Sequence, residues 1–210
     1  MRFGLALPHY DFSLPSGGPS SFARAAEHAV KAERLGFDSV WISDHFFLSL
    51  SRYGGPPERQ GSLEPMTTLA ALATRTSRIR IGTLVACAPF RHPSILAKMS
   101  AAIDLLSRGR FELGLGAGWY QDEFEAFGFP FDAVGERFSV LEETLEVLRR
   151  LFRSEAAVSF EGEWFELQDA ELHPRPPVPV PLWVGSKGGP RSLRLAARLA
   201  DGWNTVWRWT

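Results

Sequence analysis

A single cysteine, no long apolar run and no surplus of either charge narrow the possibilities before any motif is read. Cys87 has no second cysteine to pair with inside the chain, which points to a reducing compartment. No apolar stretch approaches the ~20 residues that a membrane-spanning helix needs. The chain has 23 Lys+Arg against 24 Asp+Glu, a net charge of −1. There is thus no basic excess to gather the phosphates of nucleic acid or an anionic membrane surface. The opening MRFGLALPHY carries neither the charged leader nor the small-residue cleavage site of a signal peptide, so the expected location is the cytoplasm. Metal-ligand spacing among Cys, His and carboxylates is missing, as is a serine nucleophile with its elbow motif. No metal site is expected.

What is present suits one globular domain over 1–210: 45% hydrophobic and 22% charged residues. Short apolar runs alternate with longer amphipathic stretches. Residues 3–7 predict a buried strand stopped by Pro8. Ser20 predicts a helix cap, with Phe22, Ala26, Ala29 and Val30 at helical spacing up to Gly36. Residues 38–43 predict a second strand, followed by a Gly-, Pro- and Ser-rich loop and a helix over about 65–75. Residues 79–85 and 110–115 read as strands three and four. Between them Pro93 opens a helix with Leu96, Met99, Ile103 and Leu106 on one face. A long helix then carries Phe138, Leu141, Leu145, Leu148 and Phe152 on one stripe. The rhythm breaks over 154–181: residues 158–167 (VSFEGEWFEL) predict a hairpin turning near Glu161-Gly162, and HPRPPVPVP at 173–181 must be extended. That proline-rich piece is an interdomain linker or, as the resumption of the rhythm favours, an insertion within one domain. A strand at 182–184, a helix at 190–200 and a strand at 203–206 follow.

Six strand-helix repeats with near-continuous apolar strands argue an α/β fold with a parallel sheet buried on both faces. An open doubly wound sheet and a closed barrel both satisfy that pattern. The barrel is favoured, because no Gly-x-Gly-x-x-Gly turn follows the first strand. Polar and glycine-rich residues recur instead after strands two to five, where barrel loops converge.

The blocks GFDSVWISDHF (36–46), EPMTTLAALATRTSRIRIGTLV (64–85), RHPSILAKMSAAIDLLSRGRFELGLGAGW (91–119) and PLWVGSKGGPRSLRLAARLADGWN (181–204) resemble the luciferase-like family. They look most like its subgroup using coenzyme F-420, a deazaflavin that carries hydride. The resemblance implies a (β/α)8 TIM barrel of the luciferase-like type. About six βα units are legible here, so the barrel is expected to be incomplete, lacking its last two units, and VWRWT at the end to expose aromatics. The implied activity is that of an oxidoreductase moving a hydride between F-420 and an unknown small organic substrate. Two rivals stay open: an FMN-dependent luciferase-like monooxygenase, with FMN as the alternative cofactor, and a truncated non-catalytic relative or partner subunit. Expected partners are a small-molecule substrate and, as a further option, a second copy in a homodimer, with no nucleic acid and no membrane.

Candidate site residues cluster after strand ends. Asp44 and His45 follow strand two. Histidine exchanges protons near neutral pH, and the resemblance implies that the pair lies beside the reactive ring, with His45 catalytic and Asp44 a cofactor contact. Alternatively, Asp44 caps the loop and His45 packs on Phe46. For Thr83, Leu84 and Val85 the resemblance implies cofactor contact and a non-proline cis peptide, assigned to Leu84-Val85. Gly116, Ala117, Gly118 and Trp119 follow strand four, where small residues admit a flat ring or phosphate to backbone N–H groups. Trp119 stacks on that ring, walls the pocket or belongs to the core. Gly185, Ser186, Lys187 and Gly188 enter a helix N-terminus, whose N–H groups and dipole favour an anion. The resemblance assigns them the cofactor phosphate; an ordinary βα loop is the alternative. His9 is placed to line a substrate pocket. Glu123 and Arg137 read as surface pairs, Arg91-His92-Pro93 as a helix start, and His28 and His173 as structural.

Overall fold

A computed structural model describes residues 1–13 and 21–205. In chain order the main elements are β1 (Gly4–Ala6), α1 (Phe22–Arg34), β2 (Ser39–Ile42), the short pair β3 (Phe47–Leu48) and β4 (Gln60–Gly61), α2 (Pro65–Arg75), β5 (Arg80–Thr83), β6 (Ala86–Cys87), α3 (Pro93–Ser107) and β7 (Phe111–Gly116). There follow α4 (Gln121–Ala126), α5 (Val134–Arg153), β8 (Val158–Glu161), β9 (Glu166–Ala170), β10 (Leu182–Gly185), α6 (Pro190–Leu199) and β11 (Gly202–Asn204).

Local chemistry explains where the helices begin. Glu64 caps α2 by accepting the N–H groups of Met66 and Thr67, with Pro65 in the first turn. His92 does the same for α3 by accepting Ser94 N–H at 3.2 Å ahead of Pro93, as the helix-start reading of this tripeptide requires. Helix α1 has Ser21 at its N-cap position; the expected cap at Ser20 lies outside the described residues, as do Val206 and the terminal VWRWT.

The large sheet runs β1-β2-β5-β7-β10-β11, every pairing parallel and in chain order, with β6 added beside β7. Helices between successive strands cover one face, and the sheet curls into a half-barrel. All strand C-terminal ends therefore share one rim. Alternation along the strands divides the faces. Val40, Ile42, Leu182 and Val184 are buried in the core shared with the helices. The half-buried Trp41 and Trp183 lie on the other, concave face, edge to face at 6.3 Å. Glycines make room for them: a Cβ on Gly82 would lie 2.5 Å from the Trp41 ring, and one on Gly202 would lie 2.4 Å from the Trp183 ring.

The rim opposite the C-terminal ends is tied by two charged side chains. The Arg110 guanidinium donates to the carbonyls of Ala73, Thr76, Ser107 and Ile79 and to the Thr76 hydroxyl. Glu33 accepts the N–H groups of Ser77, Arg78 and Ile79. The predicted hairpin is the antiparallel pair β8–β9. Glu143 of α5 holds its turn by accepting the N–H groups of Glu163, Trp164 and Phe165.

Three expectations need correction. The first strand is not buried: Gly4 and Ala6 are exposed and Phe3 is 58% exposed, because β1 has β2 as its only strand partner among the described residues. Leu106 leaves the apolar face of α3 and is exposed at its last turn. The loop after strand two carries β3–β4, and a short helix, α4, precedes the long one; neither has enough apolar periodicity to be read from sequence. Among the described residues, no helix is long and apolar enough to cross a membrane.

Candidate functional site

His45 follows β2 on the C-terminal rim. Its ring Nδ1 lies 2.8 Å from Glu123 Oε1, and the other carboxylate oxygen accepts the Phe46 N–H at 2.9 Å. Glu123 comes from α4, 78 residues away, and is 2% exposed. The surface-pair reading of Glu123 is thus corrected: its position just past the glycine-rich end of β7 turns the side chain inward. Trp119 and Tyr120 meet the His45 ring edge to face at 5.7 and 6.4 Å. Arg52 stands over Trp119, 5.4 Å from the ring centre.

Asp44 is buried and fully engaged. It accepts both terminal nitrogens of Arg91 and the Cys87 N–H, while Arg91 also donates to Glu64. Arg91 therefore does more than open a helix. It clamps the end of β2 to β6 and to the start of α2. The Asp44 carboxylate belongs to that clamp. Asp44 and Glu64 hold the Arg91 guanidinium above its ordinary range against the opposing effect of burial. Burial pushes the Cys87 thiol well up, and neighbouring Asp44 adds to the effect.

The Leu84–Val85 peptide is cis. Thr83 turns its hydroxyl into the sheet, donating to Gly114 O at 2.7 Å and accepting Gly114 N–H at 2.9 Å. This side chain ties β5 to β7. Val85 lies over the rim instead. A Cβ on Gly114, Gly116 or Gly185 would come within 3.0, 2.8 and 2.7 Å of its methyl groups. Gly118 has φ +77°, and a Cβ there would meet Phe124 at 2.6 Å and Cys87 Sγ at 2.9 Å, so both conformation and space demand glycine. Ala117 is buried, whereas Trp119 is 42% exposed at the mouth.

Beyond β10, the loop 185–189 leads into α6, whose N-terminus has no side-chain cap and no acidic residue in its first turn. Ser186 bonds to Ser192, Trp203 Nε1 and the Gly188 N–H, which shapes the loop from within. Lys187 is exposed and forms no ion pair among the described residues. Gly188 has φ +81°.

His9 is buried, with Nδ1 2.6 Å from Leu7 O and Nε2 2.8 Å from Ser43 Oγ; Tyr10 OH lies 2.6 Å from the same Ser43 oxygen. A carbonyl only accepts, so Nδ1 carries the proton and Nε2 accepts. His9 also borders a cavity of about 460 Å³ along β1 with Tyr10, Ser13 and His28. Burial pushes the His9 pKa down to about 4 and the Tyr10 pKa upward. Arg137 is not a surface residue either: it is 8% exposed, with its guanidinium 4.0 Å above the Phe131 ring.

The residues thus brought together at one rim are His45, Glu123, Trp119, Val85 and the glycines of β7 and β10. Fold and topology define a β/α half-barrel with this cluster at the C-terminal strand ends. The chain belongs to the luciferase-like monooxygenase family, whose model matches residues 1–208. It is 37% identical over 196 residues to an F-420-dependent glucose-6-phosphate dehydrogenase of Amycolatopsis mediterranei, covering 92% of this chain and 55% of that relative. The solved structure of an F-420-dependent secondary alcohol dehydrogenase superposes with TM-score 0.79 at 27% identity, over 98% of this chain and 58% of the other. A monooxygenase from Streptomyces bottropensis superposes with TM-score 0.72 at 33% identity, over 94% and 57%. The chain thus spans little more than half the length of these relatives.

Proposed function

We propose that this chain binds coenzyme F-420 and serves an oxidoreductase that moves a hydride between that cofactor and a small organic substrate. The observation that carries the reading is His45, held at the rim by a buried carboxylate and bordered by Trp119. The F-420-dependent relatives supply the cofactor class. The residues present fit a flat ring with an anionic tail. Val85, Gly116, Ala117 and Gly118 offer a floor with little side-chain bulk, and the uncapped start of α6 with Lys187 offers N–H donors and a cation to a phosphate.

When bound, the deazaflavin supplies hydride exchange. The chain's own groups do the rest. His45 takes up the proton released as a substrate hydroxyl is oxidised and returns it in the reverse direction. Trp119 walls the mouth and limits the access of water. Residues 1–210 form one luciferase-like unit in this reading, with 154–181 inserted, and the single, buried Cys87 accords with a reducing cytoplasm.

Thermal-shift titration of the purified chain with F-420 and with FMN tests this. A bound cofactor at 100 times its Kd stabilises by about 2.7 kcal/mol. A shift with F-420 supports the proposal. A shift with FMN alone moves the reading to a flavin-dependent monooxygenase, and the Streptomyces relative is itself a monooxygenase. No shift with either overturns it in favour of a non-catalytic relative.

A further inference from the structure

We propose that Glu123 is the positioning residue for His45, fixing its neutral ring with the proton on Nδ1 so that Nε2 is the atom that exchanges protons. This rests on the reading of His45 as the acid/base group and extends it to a residue of another element. A carboxylate only accepts, so the hydrogen in the 2.8 Å contact belongs to His45 Nδ1. The second oxygen is held by the Phe46 N–H at 2.9 Å. Ring and adjacent backbone are therefore gripped by the two oxygens of one carboxylate, which cannot rotate without losing a bond.

Burial sharpens the argument. Glu123 is 2% exposed, and among the described residues His45 is its only ion-pair partner. A carboxylate is not left in such a place without hydrogen-bond donors, and the two donors present are His45 and Phe46. Asp44, the immediate neighbour of His45 in sequence, does not compete, because Arg91 and the Cys87 N–H occupy it. Trp119 and Tyr120 meet the same ring edge to face. The ring is thus fixed in tautomer by Glu123 and confined by three aromatic neighbours, Tyr10 being the third at 6.2 Å, while Nε2 has no partner among the described residues. The arrangement has the logic of a base oriented by a third group, built across β2 and α4. A free imidazole in water prefers the proton on Nε2, so the arrangement reverses the ordinary preference.

The test is long-range proton–nitrogen NMR on the full chain with nitrogen-15-labelled histidine, recorded above pH 8, where free histidine is neutral. His45 is assigned by the resonance that Asn replacement removes. The expected result is protonated Nδ1 and bare Nε2 in the wild type, with a shift toward protonated Nε2 in Glu123→Ala, which removes the acceptor. A merely structural Glu123 would lower thermal stability on substitution and leave the tautomer where it was. Protonated Nε2 in the wild type, or an unchanged tautomer in Glu123→Ala, overturns the proposal. If that variant does not fold, the wild-type spectrum alone still decides. F-420 titration of the same wild-type sample separates the two readings. Nδ1–H without cofactor binding upholds the positioning and removes the oxidoreductase role; Nε2–H with binding does the reverse.

Discussion

Val85 and Gly116 fit each other: a Cβ on the glycine would lie 2.8 Å from Val85 Cγ2, with the next nearest atom at 3.7 Å. Gly116→Ala is therefore expected to destabilise the chain by about 1–3 kcal/mol through overpacking. Because Val85 is the close neighbour, Val85→Ala should relieve that strain. Urea unfolding of both single variants and the double variant is expected to show a coupling of about 1 kcal/mol. Strict additivity would mean that the glycine accommodates something other than Val85.

Arg91 presents a similar pairing in charge. Arg91→Met leaves the buried Asp44 carboxylate with the Cys87 N–H as its remaining partner, and the expected loss is about 3–5 kcal/mol. Arg91→Lys keeps the charge but not the two-pronged geometry, so it should fall in between. Asp44→Asn in the Arg91→Met background should recover part of the loss. If Arg91→Met unfolds at the wild-type urea midpoint, the clamp does not stabilise the rim.

His9 sets a pH dependence. Burial lowers its pKa from 6.5 to about 4, with a smaller contribution from nearby His45. Between those values the unfolded chain takes up a proton that the folded one refuses. The stability that neutral His9 supplies is complete above pH 6.5 and is lost progressively as the pH falls toward 4. The full loss is roughly 3 kcal/mol. His9→Gln should show a correspondingly flatter stability curve over that window, measured by urea titrations at several pH values. Parallel curves for the two proteins would refute the assignment.

Lys187 tests the anion site. Lys187→Ala should weaken F-420 binding by about tenfold, as expected for one charge-assisted contact. The difference should shrink at high salt. An unchanged Kd at low salt would exclude Lys187 from the site.

Much of this architecture was legible in the sequence, because a βα repeat writes its period into the apolar residues. Pro65, Pro93 and Pro190 marked helix starts correctly, and the hairpin announced itself at Glu161-Gly162. His45, Trp119 and the glycines after β7 and β10 could be singled out by their place after strand ends. Glu123 could not, since a carboxylate in a short polar helix looks the same whether it faces solvent or a histidine 78 residues away. Arg91 was hidden for the same reason, its partners coming from the ends of other elements. The Thr83 hydroxyl is bonded to the Gly114 backbone, a pairing that its place after a strand does not announce. Pairings across distant elements are what a one-dimensional pattern omits.

The lower rim has a consequence for how this chain can change. Arg110 and Glu33 gather carbonyls and N–H groups from α2, α3 and the entry to β5. None of those bonds reaches the opposite rim. The segment 46–63 can therefore be randomised in a library without disturbing that lower latch. New pocket shapes can be selected there while the foundation of the fold stays constant, so the two ends of the sheet are separate arenas for mutation.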